Sequence, residues 1–230
     1  MRKTAAQNIP ERPKSPRLRK SPHPLARSFF ERDPRLVAPE LLGKVLVRQE
    51  GRSLRAGRIV EVEVYLGADD AAAHAAAGET ARNRVLFGPA GRAYVYFTYG
   101  MHYCLNVSCM RAGEAGSVLI RALEPLAGIS AMTKARGIDE RKHRDSGQQL
   151  RLIASGPGRL CQAMSITRPR DNGKDLTGRT SGLWIGNDGY LPQGIIRTPR
   201  IGITKSVEMP LRYFVAGNEF VSGRRQSVRP

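Results

Sequence analysis

The sequence predicts an α+β fold: a single domain with a largely antiparallel mixed sheet, flanking helices and a protruding β-hairpin that carries tyrosines. Strand-prone and helix-prone segments follow one another without βαβ regularity or internal repeats, as in α+β proteins. The segment 92–108 reads RAYVYFTYGMHYCLNVS and holds four of the chain's seven tyrosines. Gly100 interrupts this strand-prone run, which is typical of a hairpin with a short glycine-containing loop.

The other predicted elements follow from caps, breakers and alternation. Asp33 is a capping residue followed by Pro34, so a helix is expected from there to Gly43. Residues 44–49 and 54–66 predict two strands, and residues 67–92 predict a polar loop. The remaining predictions are a strand over 117–123, helices over 124–135 and 155–164 with Ser155 as cap, an exposed loop over 137–151, and strands over 182–185, 200–204 and 212–215.

Positive charge is concentrated at the N-terminus but is not confined to it. The chain has 230 residues and a formal net charge of +18. Residues 1–27 carry eight Lys/Arg against one acid, or +7, which leaves +11 on the rest. We therefore expect a disordered basic tail over 1–27, a folded domain over 28–222 and a basic C-terminal tail over 223–230. The N-terminal tail could contact DNA or RNA, or could be a solvated, solubilising segment.

Composition excludes several classes of protein and site. No apolar run approaches the ~20 residues of a membrane span, and the first 30 residues lack the apolar region of a secretory signal. Cys104, Cys109 and Cys161 form no CxxC pair, and their odd number suits a reducing compartment. The four histidines are scattered without metal-ligand spacing. We therefore expect no metal, no cofactor and no membrane partner.

Two carboxylates fall on the same face of the second predicted strand. Residues 58–66 read RIVEVEVYL, and side chains alternate between the faces of a strand. The valines therefore point to the core, while Glu61, Glu63 and Tyr65 share the opposite face. This pattern fits either an ordinary solvated sheet face or a pair of acids in a functional site.

The hairpin gathers aromatic and amide side chains. With a loop over 100–102, Tyr99 would pair with Tyr103, and Tyr96 would lie opposite Asn106. Tyr94 would then share their face. Such a face can stack on a planar ring and bond its edge, although ordinary cross-strand packing explains it equally well. Dense tyrosines on a cationic chain favour a nucleic-acid partner.

Together these segments resemble the 3-methyladenine (alkyladenine, methylpurine) DNA glycosylase family of the mixed α/β type. The resemblance covers about residues 30–222 in order. The matching segments are PELLGKVLV (39–47), GRIVEVEVYLG (57–67), the His74 loop with Arg82 and Asn83, YVYFTYGMHYCLNVS (94–108), VLIRALEPLAG (118–128), SGPGRLCQAMSI (155–166), PRIGI (199–203) and LRYFVAGNEFVS (211–222).

The resemblance implies an enzyme that flips damaged purines out of duplex DNA and hydrolyses their N-glycosidic bond, leaving an abasic site. Glu63 then matches the acid that activates the attacking water, and Arg121 matches a cationic residue beside that water. Asn106 matches the residue that senses the purine edge. Tyr99 matches the wedge, the residue that fills the place left in the base stack by the flipped nucleotide. The residues that match the base-contacting set are Tyr65, His74 and Tyr96.

Three further residues are predicted to contact the DNA backbone: Arg82, Asn83 and His102. Capping of the loop is an alternative role for Arg82 and Asn83, and facing solvent is one for His102. These segments offer no amine nucleophile, so a monofunctional glycosylase is expected. It would act as a monomer on DNA containing damaged purines, in a bacterial cytoplasm at the nucleoid or in a eukaryotic nucleus. The alternative is a non-catalytic basic DNA- or RNA-binding module with the same fold.

Overall fold

The computed structural model describes residues 18, 20–98, 100–139 and 146–223, without the side chains of 146–149. Within these residues the chain forms nine strands and six α-helices. The strands are β1 (His23–Pro24), β2 (Val45–Glu50), β3 (Ser53–Tyr65), β4 (Ala93–Thr98), β5 (His102–Cys109), β6 (Gly116–Ala127), β7 (Leu183–Asn187), β8 (Ile195–Thr198) and β9 (Arg212–Val215). The helices are α1 (Arg27–Phe30), α2 (Pro34–Leu41), α3 (Ile129–Ala135), α4 (Ser146–Ala154), α5 (Pro157–Ala163) and α6 (Arg168–Asp171).

The strands form one antiparallel sheet, which confirms the predicted α+β class. Their order is β1-β7-β2-β3-β6-β5-β4, and β9 pairs with both β3 and β8. The long strand β3 lies near the centre: it pairs with β2 through its first half, with β9 through its second half, and with β6 through most of its length. Residues in the second half of β3 are therefore held from both sides.

The predicted core face of β3 is confirmed. Val60, Val62 and Val64 are fully buried in the main hydrophobic core. Helix α2, predicted from its cap, packs over β3 and β6; its N-terminal Asp33 accepts a hydrogen bond from the N–H of Arg35 at 2.7 Å. Helices α4 and α5 pack beside each other against β6.

The predicted helix over 124–135 is wrong in its first part. β6 continues through Pro125 to Ala127, and α3 begins only at Ile129 after a left-handed turn at Gly128. β5 pairs with β6 only from Gly116 to Leu119, so β5 does not reach Pro125. The proline is tolerated because no N–H is needed there for pairing with β5. Ser155 is not the cap of α5 either, because Gly156 occupies that position without a side-chain bond.

Two further predictions fail for physical reasons. The predicted loop 137–151 contains the start of α4, whose inward face packs Ile153 into the core. Residues 140–145 of that loop lie outside the described residues. The predicted strand 200–204 is not formed: β8 (Ile195–Thr198) ends before Pro199, and the next strand is β9. Proline cannot donate to a ladder, and Arg200 is drawn into an ion pair.

The limits of the predicted tails stay predictions. Most of residues 1–19 and residues 224–230 lie outside the described residues. Within the predicted N-terminal tail, β1 already pairs with β7, and α1 begins at Arg27.

Candidate active site

A cavity of about 190 Å³ opens between the hairpin β4–β5, strand β6 and two loops. One loop contains His74, and the other is the segment 201–203 before β9. Five of the residues that the sequence predicts for the site line this cavity: Tyr65, His74, Tyr96, Asn106 and Arg121. The fold therefore brings together residues from four separate regions of the chain.

Glu63 lies one layer behind the cavity wall. Its side chain has no exposed surface, and its Oε1 accepts a hydrogen bond from the N–H of Ile201 at 2.7 Å. Its Oε2 accepts one from the Tyr65 hydroxyl at 3.2 Å and lies 3.1 Å from Nη1 of Arg121. All three partners line the cavity. Glu63 is therefore joined to the cavity through each of these partners.

The two carboxylates on β3 do not form a solvated sheet face. Glu61 and Glu63 are both fully buried, so the reading as an ordinary exposed face is wrong. Burial raises the pKa of Glu63 above its ordinary value, although the charge of Arg121 and the N–H of Ile201 act in the opposite direction. A carboxylate with a raised pKa is a stronger base, as general-base chemistry requires.

The ring of Tyr65 is supported by a buried ion pair that the sequence analysis did not single out. The guanidinium carbon of Arg200 lies 4.8 Å from the centre of the ring. Arg200 donates to Asp70 (Nη2 to Oδ1, 2.8 Å) and to the carbonyl of Val64 (2.9 Å), and both charged side chains are fully buried. Burial also raises the pKa of Tyr65, which keeps its hydroxyl protonated as a donor to Glu63.

Three aromatic rings form one wall of the cavity. The rings of Tyr94 and Tyr96 are stacked with centroids 5.3 Å apart, and His74 meets Tyr96 edge-on at 4.5 Å. His74 Nδ1 shares a hydrogen bond of 2.9 Å with the Tyr94 hydroxyl. Burial, with a smaller contribution from Arg82, lowers the pKa of His74, so its imidazole is neutral near pH 7. Tyr94 was not among the predicted site residues.

The predicted register of the hairpin is wrong, while its facing is correct. Asn106 pairs with Tyr94, and Tyr96 pairs with Cys104, because Thr98 pairs with His102 across the loop. Tyr94, Tyr96 and Asn106 still share the face that lines the cavity. The side-chain nitrogen of Asn106 donates to the Ser117 hydroxyl at 2.9 Å, and its oxygen is buried without a hydrogen-bond partner among the described residues.

The residues predicted to contact the DNA backbone differ in their surroundings. Arg82 is exposed. Asn83 is buried: its amide nitrogen donates to the carbonyls of His74 and Gly78 at 2.9 Å each, and its oxygen accepts the N–H of Thr80 at 2.6 Å. These bonds favour the alternative role of Asn83, in which it caps the loop that carries His74.

His102 begins β5 at the tip of the hairpin. His102 packs against the start of α5, where a Cβ on Gly158 would meet its ring carbon at 2.9 Å. Tyr99 lies outside the described residues. Its neighbours Phe97 and Met101 are 47% and 67% exposed, so the described part of the tip carries accessible apolar surface.

Among the described residues, no group of three or more His, Cys, Asp or Glu side chains is placed to hold a metal ion. The helices described are all too short or too polar to cross a membrane.

Sequence comparison relates the chain to known proteins. A sequence model of the methylpurine-DNA glycosylase family matches residues 28–219. The chain belongs to the methylpurine-DNA glycosylase family. A Koribacter versatilis protein, provisionally named a 3-methyladenine DNA glycosylase, is 62% identical over 88% of this chain and 94% of its own length. Proteins with the same provisional name from Burkholderia lata and Methanoculleus marisnigri are 48% and 45% identical, over 86% and 87% of this chain and 91% and 99% of their own lengths.

Membership in the methylpurine-DNA glycosylase family identifies the chain as a DNA glycosylase, an enzyme of base excision repair whose substrate is DNA. It favours an enzyme over the non-catalytic binding module. Sequence reasoning missed Arg200 and Asp70 at the site, because no local pattern predicts a contact between residues 70 and 200. Alternation placed Tyr94 on the face of Tyr96 but assigned it no role.

Proposed function

We propose that the protein hydrolyses the N-glycosidic bond of alkylated or deaminated purines, 3-methyladenine among them, after flipping them out of duplex DNA. The observation that carries this proposal is the buried carboxylate of Glu63, bonded to Tyr65 and Arg121 at the wall of an aromatic cavity. The provisional names of the relatives, which specify 3-methyladenine, support the substrate class.

The aromatic wall would hold the extruded base. Base–aromatic stacking contributes about 1–3 kcal/mol per base, and extrusion costs a few kcal/mol, so stacking on Tyr96, Tyr65 and His74 offsets much of that cost. Asn106 would bond the edge of the purine, because an unpaired buried acceptor is stabilised by a ligand that donates to it. Damaged purines that leave readily are thereby held beside Glu63.

Glu63 would activate the water. A carboxylate offers about four acceptor positions, and the Ile201 N–H, the Tyr65 hydroxyl and Arg121 occupy three of them. A water at the remaining position would give its proton to Glu63 as its oxygen bonds to C1′. The C1′–N bond breaks at the same time, and its electron pair leaves with the base. An alkylated, cationic purine leaves as a neutral molecule, so a strong general acid is not required. A deaminated purine leaves as an anion and takes its proton from solvent water.

Arg121 and Tyr65 would prepare Glu63 for this step. Both hydrogen-bond the carboxylate, and the charge of Arg121 opposes the effect of burial on the pKa of Glu63. The anionic site stabilises the positive charge that develops at the sugar. No amine nucleophile enters the scheme, so the enzyme would be monofunctional, leaving an intact strand with an abasic site.

Contacts outside the cavity would position the duplex. We propose that Tyr99 fills the space vacated by the base, a role supported by the exposed Phe97 and Met101 beside it. The exposed Arg82 would bind a backbone phosphate near the cavity mouth. A monomer suffices for this arrangement, because every group in the scheme comes from one chain.

The test is incubation of the purified protein with duplexes that each carry one lesion: 3-methyladenine, 7-methylguanine, hypoxanthine or ethenoadenine. We expect release of at least one of these bases and strand cleavage only after alkali. Absence of base release from all four duplexes would refute the proposed reaction. Cleavage without alkali, or borohydride trapping of the enzyme on DNA, would refute the monofunctional mechanism.

A further inference from the structure

Glu61 is a buried carboxylate for which the proposed reaction has no use. Its side chain is fully buried and does not line the cavity. Oε1 accepts hydrogen bonds from Nε of Arg121 at 3.0 Å and from Nε of Arg212 at 2.7 Å. Oε2 accepts the N–H of Ser222 at 2.7 Å. Donors from β6, β9 and the C-terminal segment thus surround it, and among these three partners only Arg121 lines the cavity.

Arg121 joins the two carboxylates on β3. Its Nε bonds Glu61, and its Nη1 lies 3.1 Å from Oε2 of Glu63. Two bonds to a planar guanidinium fix the plane of the group as well as its position. Nη2 is 3.4 Å from the Ser222 hydroxyl, so each nitrogen of Arg121 faces a defined partner.

A break in the pairing of β3 with β6 supports this arrangement. Glu61 pairs with Ala122, whereas Val62 pairs with Ile120, so Arg121 falls within the irregularity. Bulges commonly redirect a side chain beside an active site. Here the irregularity lies at the residue that bridges the two acids.

The charges of the cluster balance. Glu61 and Glu63 supply two negative charges, and Arg121 and Arg212 supply two positive charges. Buried charges require such pairing, since an unpaired one is strongly destabilising. With Glu61 neutral, the contact to Nε of Arg121 would lose its charge, and of the two carboxylates only Glu63 would still attract Arg121. Arg121 would then lie closer to Glu63, the proposed general base, and its guanidinium would be less well oriented.

We propose that Glu61 is a positioning residue for excision: it holds Arg121 by Nε, so that Arg121 presents Nη1 to Glu63 and its guanidinium edge to the cavity. This inference rests on the proposed role of Glu63 as the base. Glu61 itself does not line the cavity.

The groups that face Glu63 set the expected pH behaviour. Arg121 approaches from β6, Tyr65 from β3, and the charge of Glu61 acts from two residues away. Cys104 on β5 and Arg200 also interact with Glu63 electrostatically. Burial raises the pKa of Cys104 to about 11 and raises the pKa of Tyr65 further. Neither group therefore titrates in the acid limb, the acidic part of the pH profile of excision. The negative charge of Glu61 raises the pKa of Glu63, so its removal lowers that pKa.

The experiment compares Glu61→Gln and Glu61→Asp with the wild type in single-turnover excision from a lesion duplex between acid and neutral pH. Both variants keep His74, so any titration of that residue is common to all three profiles. We expect the rate constant of Glu61→Gln to fall about 10- to 100-fold, as for a misplaced catalytic contact, with the duplex Kd unchanged. The midpoint of its acid limb should move to lower pH. Glu61→Asp keeps the charge but retracts it, so it should lose rate without moving the midpoint.

Three outcomes would overturn the inference. One is a wild-type rate and midpoint in folded Glu61→Gln. Another is a loss of rate that matches the loss of folded protein with the midpoint unmoved, since that identifies a structural residue only. If Glu61→Gln does not fold, Glu61→Asp decides, and a wild-type rate in the folded Asp variant contradicts positioning. Glu63→Gln is measured alongside: activity in that variant would refute the proposed base rather than the role of Glu61.

Discussion

Substitution of Arg200 by methionine tests whether the buried pair beneath Tyr65 organises the site. Arg200 is fully buried, donates to both oxygens of Asp70 and to the carbonyl of Val64, and lies against the Tyr65 ring. Methionine keeps most of the apolar stem and removes the charge. Asp70 then retains only the N–H groups of Leu66 and Ala72 as hydrogen-bond donors among the contacts described.

The loss of stability follows from burial of the remaining carboxylate. Removal of one partner from a buried ion pair costs about 3–5 kcal/mol, against a total folding stability of about 5–15 kcal/mol for a typical domain. With an m-value of about 2 kcal/mol per M, a loss of about 4 kcal/mol lowers the urea midpoint by about 2 M. Excision should also fall in the fraction that stays folded, because Tyr65 loses its support.

The assay is urea unfolding followed by the fluorescence of Trp184, with Arg111→Met as the matched control. Arg111 is exposed, so its substitution should change stability by less than about 0.5 kcal/mol. Burial raises the pKa of Asp70, but the hydrogen bond and charge of Arg200 outweigh this, and the net pKa is lowered. The pair therefore stabilises the wild type above the ordinary aspartate pKa, and this contribution is lost as pH falls through the lowered value.

The difference between the wild type and Arg200→Met should accordingly be largest near neutral pH and shrink in acid. If Arg200→Met loses less than about 1 kcal/mol of unfolding free energy at pH 7, the reasoning is refuted, because a loss of that size is typical of a solvent-exposed ion pair. A difference that grew as pH fell would contradict the sign of the Asp70 shift.

The remaining predictions concern the aromatic wall, the hairpin tip and the tail. Tyr94→Phe keeps the ring stack but removes the 2.9 Å hydrogen bond to His74, worth about 1 kcal/mol, so lesion affinity should fall about fivefold; an unchanged Kd would show that His74 is oriented by other contacts. Tyr99→Ala should reduce the ratio of affinities for lesion and undamaged duplex, and a preserved ratio would exclude the wedge role. Deletion of residues 1–17 should flatten the dependence of log Kd on log salt without changing single-turnover excision. A large loss of excision there would place part of the tail in the active site.

The parts of the fold that the sequence predicts are those with strong local signals. Asp33 and Pro34 mark the start of α2, and alternation assigns the valines of β3 to the core. The same alternation puts Tyr94, Tyr96 and Asn106 on one face, and it holds even though the register is wrong by two residues. A register shift of two residues leaves each side chain on the same face of the sheet. The three residues therefore share a face in the structure although their predicted pairing is wrong.

The errors arise where tertiary contacts override local preference. Pro125 reads as a helix start, yet it lies in β6 where that strand has passed beyond its pairing with β5. Alternation alone leaves Glu61 and Glu63 open to a solvated reading, because their burial depends on Arg121 and Arg212, which are distant in sequence. Likewise, no local pattern connects Asp70 with Arg200. Long-range ion pairs of this kind are invisible to periodicity.

The most direct measurement of the proposed chemistry is single-turnover base release by Glu63→Gln, with its affinity for the same lesion duplex measured in parallel. Glutamine keeps the size of the buried side chain and one acceptor oxygen, and Arg121 keeps its bond to Glu61. Because the buried Arg121 loses one charged partner, the rate constant and Kd are measured on the folded protein. Loss of a general base predicts a fall in the rate constant of at least about 100-fold, with Kd unchanged. Release at close to the wild-type rate by the folded variant would show that water is activated elsewhere, and that the buried carboxylate is structural.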